Sequence, residues 1–394
     1  MKKEFAVMAV VLTTILCGAK EVMPIVQMRG GIGNALYRIE KEKQTTVAFI
    51  GGSIVEMRGF SKLTEEFLMK TYPECRFTFI NAGIGSTCSD LGAARLKRDV
   101  LSKAKRIDLL FVEFATNDRG DGNFKEEYSA RAMEGIVRQA RKSNPGMDIV
   151  FLYTANESFT KDFSFAVMPS IISAHEKVAA YYALSSVSFA QDIAERLEKK
   201  EFDWKKFGGV HPSPFGAGLY LNDMKALILA GKANVKPISY PLPETKLDRF
   251  CFENGKLIDI HAAKIGDGWK IEVPDWKKLG GNTRKRYTSI PMLCGSGAGS
   301  EFVLEFTGTA IGVFVSSGFD CGSIDYSIDG APFQTKELFF WHSPNLHYPL
   351  HRCLASNLED GKHTLKVKIG KDRTKTSYGV SKGNVVRIMA FTGN

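Results

Sequence analysis

The sequence predicts an α/β domain with a parallel sheet between layers of helices, followed by a β-sandwich that is closer to a jelly roll than to an immunoglobulin domain. Three observations carry this. Apolar runs at Val47–Ile50, Phe77–Ile80, Leu109–Phe114 and Ile149–Tyr153, with a short one near Ser186–Phe189, alternate with helical stretches such as Phe60–Thr71, Tyr128–Lys142 and Phe215–Ala230. After Ile238–Ser239–Tyr240–Pro241–Leu242–Pro243, which reads as a linker, the pattern changes. Short alternating runs follow at Glu301–Phe306, Ile311–Val315, Ser323–Ile328 and His363–Ile369, separated by turns such as Asp329–Gly330 and Asp360–Gly361. Finally, 394 residues are too many for one ordinary core, and 44% hydrophobic residues with 27 Phe and four Trp suffice for two.

Taken in chain order, Met1–Lys2–Lys3–Glu4, the apolar Phe5–Leu16 and Cys17–Gly18–Ala19 read as a basic n-region, an h-region and a small-residue cleavage site. The h-region is short for a membrane span, and Thr14–Ile15–Leu16 make a poor lipobox ahead of Cys17. The expected division is a signal peptide at 1–19, a first domain at 20–235 with a lead-in at 20–44, a linker at 236–243 and the sandwich at 244–394. No other stretch is apolar enough to span a bilayer, so a secreted or periplasmic protein is expected. Six cysteines remain beyond the leader (Cys75, Cys88, Cys251, Cys294, Cys321, Cys353), with no CxxC pair to suggest zinc. Disulfides and free buried thiols stay open alternatives. The net charge of +10 is spread along the chain and forms no nucleic-acid stripe; Arg284–Lys285–Arg286, its densest short run, reads as a solvated turn.

Four segments carry candidate chemistry. Thr46–Ser53 ends an apolar run in Gly51–Gly52–Ser53, a tight turn that presents a hydroxyl. Asn81–Thr87 follows the next run, and its small residues let backbone N–H groups approach a ligand. Val112–Asp118 places the Asn117 amide at a strand end, where it can donate to a developing oxyanion. Gly208–Gly216 holds His211 in a Gly/Pro-flanked loop before a helix start. In an open α/β sheet, chemistry belongs at the carboxyl ends of the strands, where the first three segments fall.

Ordered Ser, Gly, Asn and His blocks on a β/α repeat resemble the SGNH hydrolase (GDSL-type esterase) superfamily, in the branch whose first block reads Gly-Gly-Ser-Ile. The likeness runs from about Arg29 to about Gly231. It implies a flavodoxin-like three-layer α/β/α fold, Ser53 as nucleophile and His211 as general base, with an oxyanion hole made by the Ser53 N–H, the Gly85 N–H and the Asn117 side chain. Departures are Gly52 where the family often has Asp, Ala115 where it often has Gly, and Gly208 in place of the acid usually found three residues before the histidine. A Ser-His dyad is therefore expected. Asp203 is the nearest acid that could orient His211, with Glu56, Glu113 and Asp118 behind it.

Histidine arithmetic agrees with this assignment. Between the leader and residue 235 there are only His175 and His211, and His175 lies in the helical pattern Val167–Tyr182, where a surface or packing role is expected. In the second domain, Phe339–Phe340–Trp341–His342, Trp269 and Trp276 could form a platform for sugar rings, although aromatics more often fill cores. The histidines from His342 to His363 fit no common metal spacing, and neither metal nor cofactor is expected. The leading expectation is an exported carboxylic-ester hydrolase removing small acyl groups, acetyl above all, from carbohydrate. A non-catalytic glycan-binding protein on the same scaffold is the alternative, and a lipase ranks lower because no lid-like apolar stretch is visible.

Overall fold

The computed structural model describes residues 22–371 and 374–394; the signal peptide read at 1–19, Cys17 included, lies outside them. Strands β1 (Val26–Gln27), β2 (Gln44–Gly51), β3 (Arg76–Gly83), β4 (Leu109–Glu113), β5 (Asp148–Tyr153) and β6 (Ser185–Ser188) form one sheet in the order β1-β6-β5-β4-β2-β3. The pairs among β2–β6 are parallel, and β1 joins β6 antiparallel at the edge. Strands β4 and β5 are buried along their whole length, as a sheet covered on both faces requires.

The covering helices are α1 (Gly33–Tyr37), α2 (Ser53–Glu56), α3 (Phe60–Thr71), α4 (Ser89–Leu96), α5 (Ala115–Arg119), α6 (Glu126–Ser143), α7 (Glu157–Ser164), α8 (Ser170–Tyr181), α9 (Phe189–Glu198), α10 (Trp204–Phe207) and α11 (Pro214–Gly231). Phe189, expected at a strand end, instead opens α9, because the Ser188 hydroxyl accepts from Gln191 N–H and caps the helix. Pro169 stops α8 from reaching back to Val167. Aromatic contacts run through the core: Phe49 of β2 stacks on Phe111 of β4 at 4.9 Å within the sheet and meets Phe60 of α3 edge-on at 6.2 Å, and Phe189 of α9 stacks on Tyr220 of α11 at 4.1 Å.

Beyond α11 the chain runs back along this domain. Ile238 exchanges two hydrogen bonds with the Asn34 amide (2.6 and 2.9 Å), the Tyr240 hydroxyl donates to Asp148 (2.9 Å), and Phe252 is buried in the first core. The sandwich opens with Lys256–Ile258. One of its sheets runs Asn282–Thr283, Leu346–Ala355, Ile311–Ser317, Val386–Gly393, Met292–Gly295, Trp269–Glu272; Lys256–Ile258 pairs with Val386–Gly393. The other runs Gln334–Glu337, Ser323–Ile328, Lys362–Ile369, Glu301–Thr307, Ala263–Ile265. Val313, Val315 and Ile388 of the first sheet share a buried core with Leu304, Leu365 and Val367 of the second.

The two domains are joined by a buried apolar seam. Ile84, Leu91 and Ala94 pack with Tyr287, Met292, Phe314 and Ala390 in one buried cluster. Beside it, His351 Nδ1 lies 2.8 Å from Asp90 Oδ2; burial pushes the Asp90 carboxyl up, but the imidazole holds it below the usual carboxylate range. The six cysteines from Cys75 to Cys353 are free thiols. No helix among the described residues is long and apolar enough to cross a membrane.

Candidate active site

The register of the sheet sets the site. Gly51 of β2 is level with Gly83 of β3 and with Glu113 of β4, so three of the four candidate segments emerge side by side at the carboxyl edge. Arg95, fully buried on α4, binds two of these strand ends by donating to Ala82 O (2.6 Å) and Gly51 O (3.1 Å).

Ser53 is the first residue of α2, directly after the Gly51–Gly52 turn. A Cβ on Gly51 would stand 2.5 Å from Glu113 O, and one on Gly52 would stand 1.9 Å from Asn117 Oδ1. Both glycines are thus required by crowding, and Asn117 occupies the space that a larger residue at position 52 would need. The fourth segment arrives from the other end of the domain. His211 Nε2 lies 2.8 Å from Ser53 Oγ, across 158 residues of sequence.

The loop that holds His211 is fixed at both ends. Ser213 caps α11, its N–H donates to Phe207 O (2.7 Å) and its hydroxyl donates to Lys206 O (2.8 Å). Gly208 has φ +110°, and a Cβ there would fall 2.2 Å from Ser213 N. No aspartate fits at this position in this loop, which accounts physically for the missing acid. The Asp203 carboxylate does not replace it: it caps α10 by accepting from Lys206 N–H at 2.6 Å. Glu113 is buried, accepts from the Thr154 hydroxyl (2.8 Å) and is pushed up to about 7 by burial. Asp118 takes Ser89 and Ser129. None of these acids, nor Glu56, hydrogen-bonds to His211, and Nδ1 of His211 has no hydrogen-bond partner among the described residues.

Asn117 is buried on α5, and its Nδ2 donates to Asp121 Oδ2 at 2.6 Å. The Gly85 N–H donates to Glu56 Oε2 at 2.8 Å, one helical turn beyond the nucleophile. Both amide donors therefore face carboxylates in this geometry. Beneath Asn117, Asp118 accepts from the Ser89 backbone N–H (2.8 Å) and hydroxyl (2.6 Å) and from the Ser129 hydroxyl, which also faces His175 Nε2 at 2.7 Å. His175 is 0% exposed, so of the two roles expected for it, packing is the one it occupies.

Three residues at the site come from the sandwich. Arg284 and Arg286 reach Glu56 at 4.0 and 3.8 Å, and Arg286 Nη1 also donates to Gly83 O at 2.9 Å. Burial lowers the His342 pKa, Asp121 opposes the shift, and Arg284 adds to it. Neighbouring Trp341 is 56% exposed, its ring 4.7 Å from that of His342. Among the described residues, no group of three or more His, Cys, Asp or Glu side chains is placed to hold a metal ion.

The model of the GDSL-like lipase/acylhydrolase family matches residues 49–219, a span that contains all four segments. No curated protein matches the chain in sequence. Among solved structures, the chain is similar to a two-domain esterase, CEX, active on acetylated mannans. That fold match has a TM-score of 0.74 at 19% identity and covers 93% of this chain and 96% of the other. The same esterase co-crystallised with mannopentaose matches with a TM-score of 0.73 over the same shares at 19% identity. The likeness therefore extends across both domains and their arrangement. Residues 49–219, which bring the Ser, Gly, Asn and His segments to one edge of the sheet, are a GDSL-like lipase/acylhydrolase domain.

Proposed function

We propose that this protein is an exported carboxylic-ester hydrolase that removes acetyl groups from carbohydrate, with Ser53 as nucleophile and His211 as general base. The observation that carries the reading is the 2.8 Å contact between Ser53 Oγ and His211 Nε2 at the carboxyl edge of β2. A serine hydroxyl becomes a competent nucleophile only when a neighbouring base can take its proton. Ser53 Oγ attacks the ester carbonyl carbon, His211 Nε2 accepts the hydroxyl proton, and the carbonyl oxygen becomes an oxyanion. Collapse expels the sugar alkoxide, which receives the proton from His211, and leaves acetyl-Ser53. Water, deprotonated by His211, then releases acetate and restores Ser53.

The oxyanion would be met by the N–H groups of Ser53 and Gly85 and by Asn117 Nδ2. For this the substrate oxygen has to take the place of the Glu56 and Asp121 carboxylates on the last two donors. Without an acid on Nδ1, His211 acts as part of a dyad. The carbohydrate half of the reading is supported by the whole-chain fold shared with an esterase active on acetylated mannans and by the exposed Trp341 at the rim. Hydrolysis of p-nitrophenyl acetate tests the chemistry, and acetate release from a panel of acetylated glycans tests the substrate. A protein that binds such glycans and turns over neither would reverse the proposal.

A further inference from the structure

Arg284 lies on the turn between the Asn282–Thr283 strand and the single helical turn Lys285–Tyr287. Its neighbours are anchored to the first domain, Tyr287 in the buried seam with Ile84 and Arg286 on Gly83 O. Arg284 itself is not. Its side chain donates no hydrogen bond to any described residue, its Nε is buried without a partner, and the nearest carboxylate, Glu56, is 4.0 Å from Nη1. That carboxylate is already committed to the Gly85 N–H and lies closer to Arg286. Yet Arg284 flanks the nucleophile. The point where a Cβ of Gly85 would stand is 3.3 Å from Arg284 Nη2 and 3.4 Å from Ser53 Cβ.

A guanidinium is always charged and carries five N–H donors in a planar fork whose shape matches a carboxylate. The Arg284 side chain is 41% exposed, so water can meet its outer donors while the buried Nε has no partner, and a ligand that displaces that water has to supply acceptors in its place. The local balance points the same way, because two guanidinia face Glu56 while the other carboxylate at the site, Asp121, is held by Asn117 Nδ2. Sugar hydroxyls could take some of the donors, but they leave the charge unmatched. A carboxylate takes two donors at once and neutralises the charge.

Resting on the esterase reading, we propose that Arg284 is a specificity-determining residue which receives a carboxylate of the substrate, so that the esters cleaved at Ser53 are carried on an acidic glycan, one containing uronic acid. The sandwich thereby supplies part of the substrate site rather than a separate binding module.

The test compares acetate release from O-acetylated galacturonate oligosaccharides and from O-acetylated manno-oligosaccharides, with p-nitrophenyl acetate as a report on the nucleophile. Wild type is expected to favour the acidic substrate in kcat/KM by about tenfold to a hundredfold, the value of a charge-assisted pair. Added salt should reduce the preference. In Arg284→Met, which keeps much of the aliphatic stem, the acidic-to-neutral ratio should fall to near one, and in Arg284→Lys, which keeps charge without the fork, to an intermediate value. Equal kcat/KM on the two glycans by a wild type that hydrolyses p-nitrophenyl acetate overturns this inference alone, as does a preference that survives in Arg284→Met. Failure of wild type on every ester overturns the esterase reading and this inference with it.

Discussion

Gly52→Ala is the substitution with the most calculable outcome. The backbone at position 52 has φ −85°, outside the left-handed region, and the cost that can be worked out is what the added methyl meets. It would stand 1.9 Å from Asn117 Oδ1 and 2.7 Å from Asn117 Cγ, distances that no contact tolerates. Asn117 is buried and its Nδ2 is held by Asp121 at 2.6 Å, so it cannot yield without breaking that bond and turning its amide away. Overpacking of this kind costs about 1–3 kcal/mol of stability. Misaiming an oxyanion donor lowers kcat by about 10²–10³. Both effects pass through one side chain, so they should not add. In Gly52→Ala/Asn117→Ala the offending atoms are gone, and the double variant should match Asn117→Ala in kcat and recover most of the stability lost in Gly52→Ala. Steady-state kinetics with p-nitrophenyl acetate and urea melts on all four proteins close the cycle. A kcat near wild type in Gly52→Ala, or losses that multiply in the double variant, would refute the reasoning.

Asp203→Asn should cost less than about tenfold in kcat, against roughly 10⁴ for a triad acid. Asparagine is also a good N-cap, so melting should barely change, whereas Asp203→Ala should lose about 1 kcal/mol of stability. Asn117→Ala should lower kcat by about 10²–10³ with little change in KM, and a rise in KM alone would assign Asn117 to substrate binding. Asp223 gives a pH test. Burial pushes its carboxyl up to about 8, and its Oδ2 has no partner. Its pKa is raised in the folded state, so stability present at pH 4 is lost as pH rises towards 8. Asp223→Asn removes that loss, so its advantage in thermal melting over wild type should grow from pH 5 to pH 8; a constant or shrinking difference would contradict the burial argument.

The parts of the fold and site that could be read from the sequence were those encoded locally. Apolar runs ending in Gly51–Gly52–Ser53 or Asn81–Ala82–Gly83 mark strand ends where side chains would collide, and the 1.9 Å and 2.5 Å clearances at Gly52 and Gly51 are the physical content of that pattern. β1 has only two residues and no periodicity to detect. Nearness in sequence makes Asp203 a candidate orienting acid, yet Asp203 before Trp204–Phe207 and Gly208 after it form an N-cap and a left-handed C-terminal cap, a local signal that assigns the carboxylate to the backbone. The Arg284–Lys285–Arg286 run reads from the sequence as a solvated turn. Its place beside Ser53 depends on the seam around Ile84 and Tyr287, which no local pattern carries. The Asp118–Ser129–His175 cluster was hidden for the same reason, since its members meet only after α5, α6 and α8 pack.

The most direct test of the central claim is mass spectrometry of the intact protein and its peptides after quenching the reaction with p-nitrophenyl acetate in acid, alongside labelling with a fluorophosphonate. The 2.8 Å Ser53–His211 contact predicts one acetyl group and one phosphonyl group, each on Ser53. Both should be absent in Ser53→Ala, whose kcat should fall by on the order of 10⁶ while its melting stays near wild type. An adduct on another residue, or a Ser53→Ala protein that still turns over ester at a substantial rate, would contradict the account.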